Sequence, residues 1–140
     1  MTDDLAPRAV LAVVMTLSGV LMIWMARATA SGRLGRNHIS GIRTPATLAS
    51  DEAWLAAHRR ARRSNEVGGV VAFATAALAF LPLPVPVVGA AVLVACLVLL
   101  AVVLHGARVG ARAARDSTDH ASTTRAVAVD TATAPDSSRD

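Results

Sequence analysis

From Val67 to Gly106 the chain runs for forty residues without an Asp, Glu, Lys or Arg. At about 1.5 Å per helical residue this is roughly twice what one helix needs to cross a bilayer core of about 30 Å. A soluble domain would interleave polar positions at a period of 2.0 or 3.6 residues to build a solvated face. Here the apolar residues come as an unbroken block, so the solvent that the pattern fits is lipid. Pro82, Pro84 and Pro86 interrupt the block at its middle. Each lacks an amide hydrogen and clashes with the preceding turn, so the block is expected to fold as a helical hairpin. Its arms are transmembrane helices over 67–83 and 85–107.

A second uncharged stretch, Ala9 to Ala26, spans about 27 Å as a helix and is expected to be a further transmembrane segment, 9–26. Thr16, Ser18 and Gly19 are its polar or small interruptions, and Trp24 falls near its end, where an indole suits the membrane–water interface. Ala28-Thr29-Ala30 has the small-residue character of a signal-peptidase site. Against cleavage stand the acidic Asp3 and Asp4 ahead of the block and Arg27 between block and site, so the segment is read as a retained span.

Every basic side chain is Arg, with no Lys. Between the first and second spans lie Arg27, Arg33, Arg36, Arg43, Arg59, Arg60, Arg62 and Arg63, and after the last come Arg108, Arg112 and Arg115. The other side of the membrane has only Arg8. This asymmetry places the 27–66 loop and the 108–140 tail in the cytoplasm and the 1–8 segment outside. Three crossings put loop and tail on the same side, as both arginine groups require. The net charge of +4 and pI near 11.2 come from arginines beside apolar blocks rather than along a soluble face, so the bilayer, not nucleic acid, is the expected partner. The tail is rich in Ser, Thr, Asp and Ala and is expected to be disordered. The fold class is all-α: three transmembrane helices, a short cytoplasmic interfacial helix and that tail.

The loop is more specific than a linker requires. Gly41 permits a turn and Pro45 pushes Thr44 toward an extended conformation, so Arg43 should project between two constrained points. Arg43 is therefore the leading candidate for binding an anion or a partner; the alternative is a solvated arginine drawn to anionic lipid. Thr44 and Thr47 are expected to fix the turn by local hydrogen bonds. Ser50 reads as an N-cap, with Asp51 and Glu52 in the first turn of a helix running to about Arg63. Trp54, Ala57, His58 and Ala61 share one face of it. Trp54 is expected to anchor at the interface, with His58 packed beside the indole. Arg59, Arg60, Arg62 and Arg63 are placed to meet lipid phosphates.

The order Gly-Ile-Arg-Thr-Pro-x-Thr at 41–47, Asp-Glu-Ala-Trp at 51–54 and Ala-His-Arg at 57–59, lying between one apolar span and a pair of them, resembles the SdpI family. The resemblance covers 9–107, with its specific part in 37–61. It implies a bacterial multi-pass protein of the plasma membrane that confers immunity to a membrane-active toxic peptide. It also implies a possible cytoplasmic regulator as partner, since the founding member sequesters a transcriptional repressor. This chain carries the three-span core without that member's additional amino-terminal membrane region. On this basis Asn37, Gly41, Arg43, Thr44, Pro45, Thr47, Trp54 and His58 form the candidate partner- or toxin-response motif.

Other chemistry finds little support. His38, His58 and Glu52 match no zinc spacing, so no metal or cofactor is expected. Cys96 is a lone cysteine in an apolar block, and His105 can reach the headgroups from the end of its span. Gly106 and Gly110 make a weak small-xxx-small signal for association of copies. No charged residue lies inside a span, which disfavours an ion-coupled pump. No nucleophile elbow, phosphate loop or metalloprotease motif is present, so catalysis is not expected.

Overall fold

The computed structural model describes residues 5–37, 39 and 41–133. It contains three helices, α1 (Leu5–Ala30), α2 (Asp51–Leu78) and α3 (Val85–Thr133), with no strand among the described residues. α2 lies between the other two and packs against both, while α1 and α3 do not pack on each other. Two of the helices, α1 and α3, are long and apolar enough to cross a membrane. Only 17% of the apolar window of α1 and 6% of that of α3 is buried within the protein. Leu, Val and Phe side chains cover the outside, whereas the buried residues are mostly Ala, Gly and Thr. A core helix of a soluble protein hides its large aliphatics; these helices present them outward and pack through small residues, as lipid-solvated helices do.

Glycines bring the axes together. A Cβ on Gly19 of α1 would lie 3.0 Å from the Gly69 carbonyl of α2, and one on Gly69 would collide with Ile23. Gly68, one step round α2, faces Met22 of α1 and Leu99 of α3. Two adjacent glycines thus let α2 approach both neighbours at one level. The α2–α3 contact continues through Gly106 beside Ser64 and Gly110 beside the Ala57 carbonyl, and Ala114 is buried in a cluster with Ala53 and Ala57. The Gly106–Gly110 pair therefore serves packing within the chain, where its sequence pattern pointed to association between copies.

At the far end of α2 the prolines end the helix. Ala79, Phe80 and Leu81 close tight turns on carbonyls three residues back, and Pro82 and Pro84 offer no amide hydrogen to continue. Carbonyls left without helical donors are met by Arg8 of α1, whose guanidinium donates to Ala79 O (3.4 Å), Leu81 O (2.7 Å) and Leu83 O (2.5 Å). Pro86 sits in the first turn of α3, where its missing N–H has no helical acceptor to lose.

Two expectations are corrected. Among the described residues there is no separate interfacial helix: residues 51–63 are the first half of α2, which continues unbroken to Leu78. Nothing between Arg63 and Val67 breaks a helix, and α3 runs alongside this half too, so it is packed against a neighbouring helix. The tail is also not structureless as far as Thr133, because α3 extends to that residue. Between Gly110 and Pro135 there is no Gly or Pro, alanine recurs, and Ser and Thr hydroxyls bond back to carbonyls three or four residues earlier instead of breaking the helix. Beyond Thr118 its side chains through Thr131 are exposed.

Candidate functional site

The loop between α1 and α2 folds down over the start of α2 and the exit of α3. It begins with Gly32 at φ 78°, a left-handed turn that reverses the chain so that the Leu34 amide bonds back to the Ala28 carbonyl at 3.0 Å. It ends at Ser50, whose hydroxyl accepts the Ala53 amide at 3.0 Å and caps α2, with Asp51 and Glu52 in the first turn. Arg36 holds the two ends together, donating to the Leu48 carbonyl at 2.8 Å and pairing with Asp51 at 3.2 Å.

Inside this frame five of the candidate residues are interlocked with one that the sequence did not single out. The Ile42 amide donates to His58 Nε2 at 3.0 Å, and His58 Nδ1 lies 2.7 Å from the Trp54 carbonyl. An amide donor on one nitrogen and a carbonyl on the other require the neutral imidazole with its proton on Nδ1. Burial pushes the His58 pKa below its ordinary value, and the hydrogen bond to the Trp54 carbonyl offsets this only in part. The Trp54 indole stacks on the same ring at a centroid distance of 4.1 Å and donates through Nε1 to the Leu34 carbonyl at 3.2 Å. Gly41, at φ 92°, passes directly over both rings: a Cβ there would collide with His58 Nε2 and meet the indole at 3.1 Å. Thr47 is fully buried; its hydroxyl accepts the Thr44 amide at 2.9 Å and lies 2.7 Å from the Ile42 carbonyl. Ile42 is therefore gripped at both ends, its amide by His58 and its carbonyl by Thr47.

The expected local role of Thr44 and Thr47 matches this geometry, and so does the packing of His58 beside the indole. Trp54 does not: it is 1% exposed and fastens the loop, so it is not an anchor in the membrane interface. It faces the side of α2 that the loop covers, and its N–H finds a protein carbonyl there in place of headgroup water. Arg43 and Pro45 are exposed, and Asn37 bonds locally to the Gly35 carbonyl. Arg59, Arg60, Arg62 and Arg63 are all exposed on α2. Of these, Arg62 is engaged with Glu66, which also takes Arg27 of α1, both at 3.0 Å. The two guanidiniums hold the Glu66 carboxyl below its ordinary pKa. The Arg27–Glu66–Arg62 bridge was missed in the sequence, although Glu66 is the sole acidic residue between Glu52 and Asp116 and stands at the edge of an apolar block. His38 and Ser40 lie outside the described residues.

Beneath the loop, a cavity of about 290 Å³ separates α1 from α3. Met22, Met25 and Thr29 line one side, Val103 and Ala107 the other, and Ile42 with His58 close the top. With both ring nitrogens committed, His58 in this conformation positions the loop and is not poised to move a proton for a substrate. No group of three or more His, Cys, Asp or Glu is assembled among the described residues. The arrangement clamps the loop onto α2.

The sequence model of the SdpI/YfhL protein family matches residues 33–105, from the loop to the end of the last apolar block. No curated protein and no solved structure matches the chain.

Proposed function

The chain belongs to the SdpI/YfhL protein family, and from that premise we propose that it protects the envelope of a bacterial cell against a membrane-active toxic peptide. It does so as a three-span, non-catalytic protein of the plasma membrane with loop and tail in the cytoplasm. The observation that carries this reading is the interlocked 41–58 cluster seated on the ends of the spans. A mere linker has no need of a buried Thr, Trp and His all bonded to one loop, whereas a protein that registers an event in the bilayer needs a loop rigidly coupled to the helices. Arg59, Arg60 and Arg63 face the anionic headgroups, and the spans meet the peptide in the lipid. The third crossing is supported by the ends of α1: Arg27 is tied to Glu66 and Arg8 to the α2–α3 turn, so α2 runs the same membrane depth as α1 in the opposite direction.

Deleting the gene and challenging cells with a panel of membrane-active peptides tests the proposal. Sensitisation to at least one peptide, restored by the intact chain, is the expected result; unchanged sensitivity across the panel sinks it. A second reading, an adaptor that recruits a cytoplasmic protein, is favoured by the exposure of Arg43 and Pro45 on a rigid loop. Photo-crosslinking from position 43 separates the two: capture of a defined soluble partner in cells that show no resistance phenotype selects the adaptor.

A further inference from the structure

On the side of α1 facing away from α3's cavity, Val20, Ile23, Trp24 and Arg27 follow one another at i, i+3, i+4 and i+7 and so form a single stripe. Phe73 of α2 and Arg33 of the loop join them to enclose a cleft of about 350 Å³. The cleft is graded along the membrane normal. Its deep part is Val20, Ile23 and Phe73; its rim is an indole 55% exposed and two guanidiniums. Arg33 arrives there because Gly32, in its left-handed conformation, turns the chain back over the end of α1. Arg27 commits only its Nε, to Glu66, and Arg33 makes no ion pair or hydrogen bond among the described residues. Donor groups of both arginines thus remain for an anion at headgroup depth, directly above an apolar slot that ends in aromatic rings.

We propose that this cleft is a binding site for one anionic glycerophospholipid of the inner leaflet, its acyl chain against Val20, Ile23 and Phe73 and its headgroup phosphate between Arg27 and Arg33. The inference rests on the reading that α1 crosses the membrane with this end at the cytoplasmic face. Charge decides the occupant. An arginine pair beside an indole at the interface recognises phosphate, and a lipid whose headgroup carries no compensating ammonium gains most from it. Arg59 and Arg60, equally exposed but without a lined slot beneath them, supply diffuse attraction only.

Fluorescence quenching of the full chain in bilayers tests the site, since Trp24 is exposed and Trp54, at 1% exposure, gives a constant background. Phosphatidylglycerol and phosphatidylcholine brominated near the headgroup end of one chain serve as probes, each mixed into the unbrominated lipid of the other type. The anionic probe is expected to quench at lower mole fraction, and Arg33→Gln to lower the relative affinity about five-fold, the scale of one arginine at a charged surface. Arg27→Gln with Arg33→Gln should abolish the preference, while Arg59→Gln with Arg60→Gln, the same loss of charge, should leave it. Equal quenching by both lipids in the native chain overturns the site, as does loss of preference in the Arg59/Arg60 variant alone. Absence of quenching by either lipid would remove the spanning reading of α1 together with the site, so the two failures are distinguishable.

Discussion

At position 41 a single hydrogen atom in place of a side chain decides whether the loop can seat. The residue combines a positive φ with passage over the His58 and Trp54 rings, so alanine there is strained in its backbone and blocked by the imidazole. Gly41→Ala should therefore lower stability by at least roughly 1–3 kcal/mol, the backbone cost alone. The midpoint of thermal aggregation in detergent reads it out, with Gly35→Ala, where a Cβ meets nothing, as the control. His58 makes a second prediction, about pH. Its pKa in the folded chain is lowered from the ordinary 6.5, so above pH 6.5 it is neutral whether folded or not. As pH falls below 6.5 the unfolded chain takes up a proton that the folded one resists, and stability drops until the folded pKa is passed. Protonation also places a hydrogen on Nε2, directly opposing the Ile42 amide. The groups lining the cavity beside the ring (Met25 and Thr29 of α1, Gly41 and Ile42 of the loop, Asn65 of α2, Val103 and Ala107 of α3) carry no charge to offset it. Melting midpoints should fall between pH 7.5 and 5.5 in the native chain and shift less in His58→Gln; an identical shift in both would assign the effect elsewhere.

Among the elements, what could be read in the sequence followed from local rules. The Ser50 cap and the turn chemistry of Thr44–Thr47 each depend on a few neighbouring residues, and each stands as expected; the proline break is local too, but α2 ends at Leu78 and not at 83 as expected. Those features that depend on a distant partner were invisible: the Ile42 amide seeking His58, Arg8 meeting carbonyls more than seventy residues away, and Glu66 shared by arginines of two helices. Trp54 was misplaced for the same reason, since an indole on one face of a helix in the loop looks alike in sequence whether headgroups or a loop cover it. Gly106 and Gly110 show how an element's pattern can be right about close packing yet silent about the partner. Their stripe on α3 faces α2, and a Cβ on Gly110 would lie 2.9 Å from the Ala57 carbonyl and 2.8 Å from Ile42, in a place where backbone cannot yield. Gly110→Ala should destabilise by about 1–3 kcal/mol through overpacking. Gly89→Ala, in the same helix but facing open space, should stabilise by up to about 1 kcal/mol through helix propensity. Unfolding in mixed micelles at graded denaturing detergent measures both, and equal effects at the two positions would deny the α2–α3 contact.

For the whole molecule, the decisive matter is how many times the chain crosses the bilayer. α2 does not qualify by composition, because residues 51–66 carry Asp51, Glu52, four arginines and Glu66, and only the residues from Val67 to Leu78 are apolar. Those residues cover about 18 Å, less than a hydrocarbon core. In the proposed three-span topology the ties between α1 and α2 make up the shortfall. Arg8 and Arg27 stand nineteen residues apart on α1, about 28 Å along its axis. Long arginine side chains at both ends reach inward to Glu66 and to the carbonyls after Leu78, so a shorter α2 can lie antiparallel to α1 with its ends at the same two surfaces. On the proposed topology, a helix tied at both ends to a spanning neighbour crosses with it. Reporter fusions should accordingly place Pro84 on the outside and positions 45 and 120 together in the cytoplasm. Arg8→Ala should weaken the outer tie, and the Pro84 reporter should then show a mixed orientation while positions 45 and 120 remain inside. If Pro84 reports the same side as position 45 in the native chain, α2 does not cross, and the antiparallel pairing of α1 and α2 lies outside the bilayer.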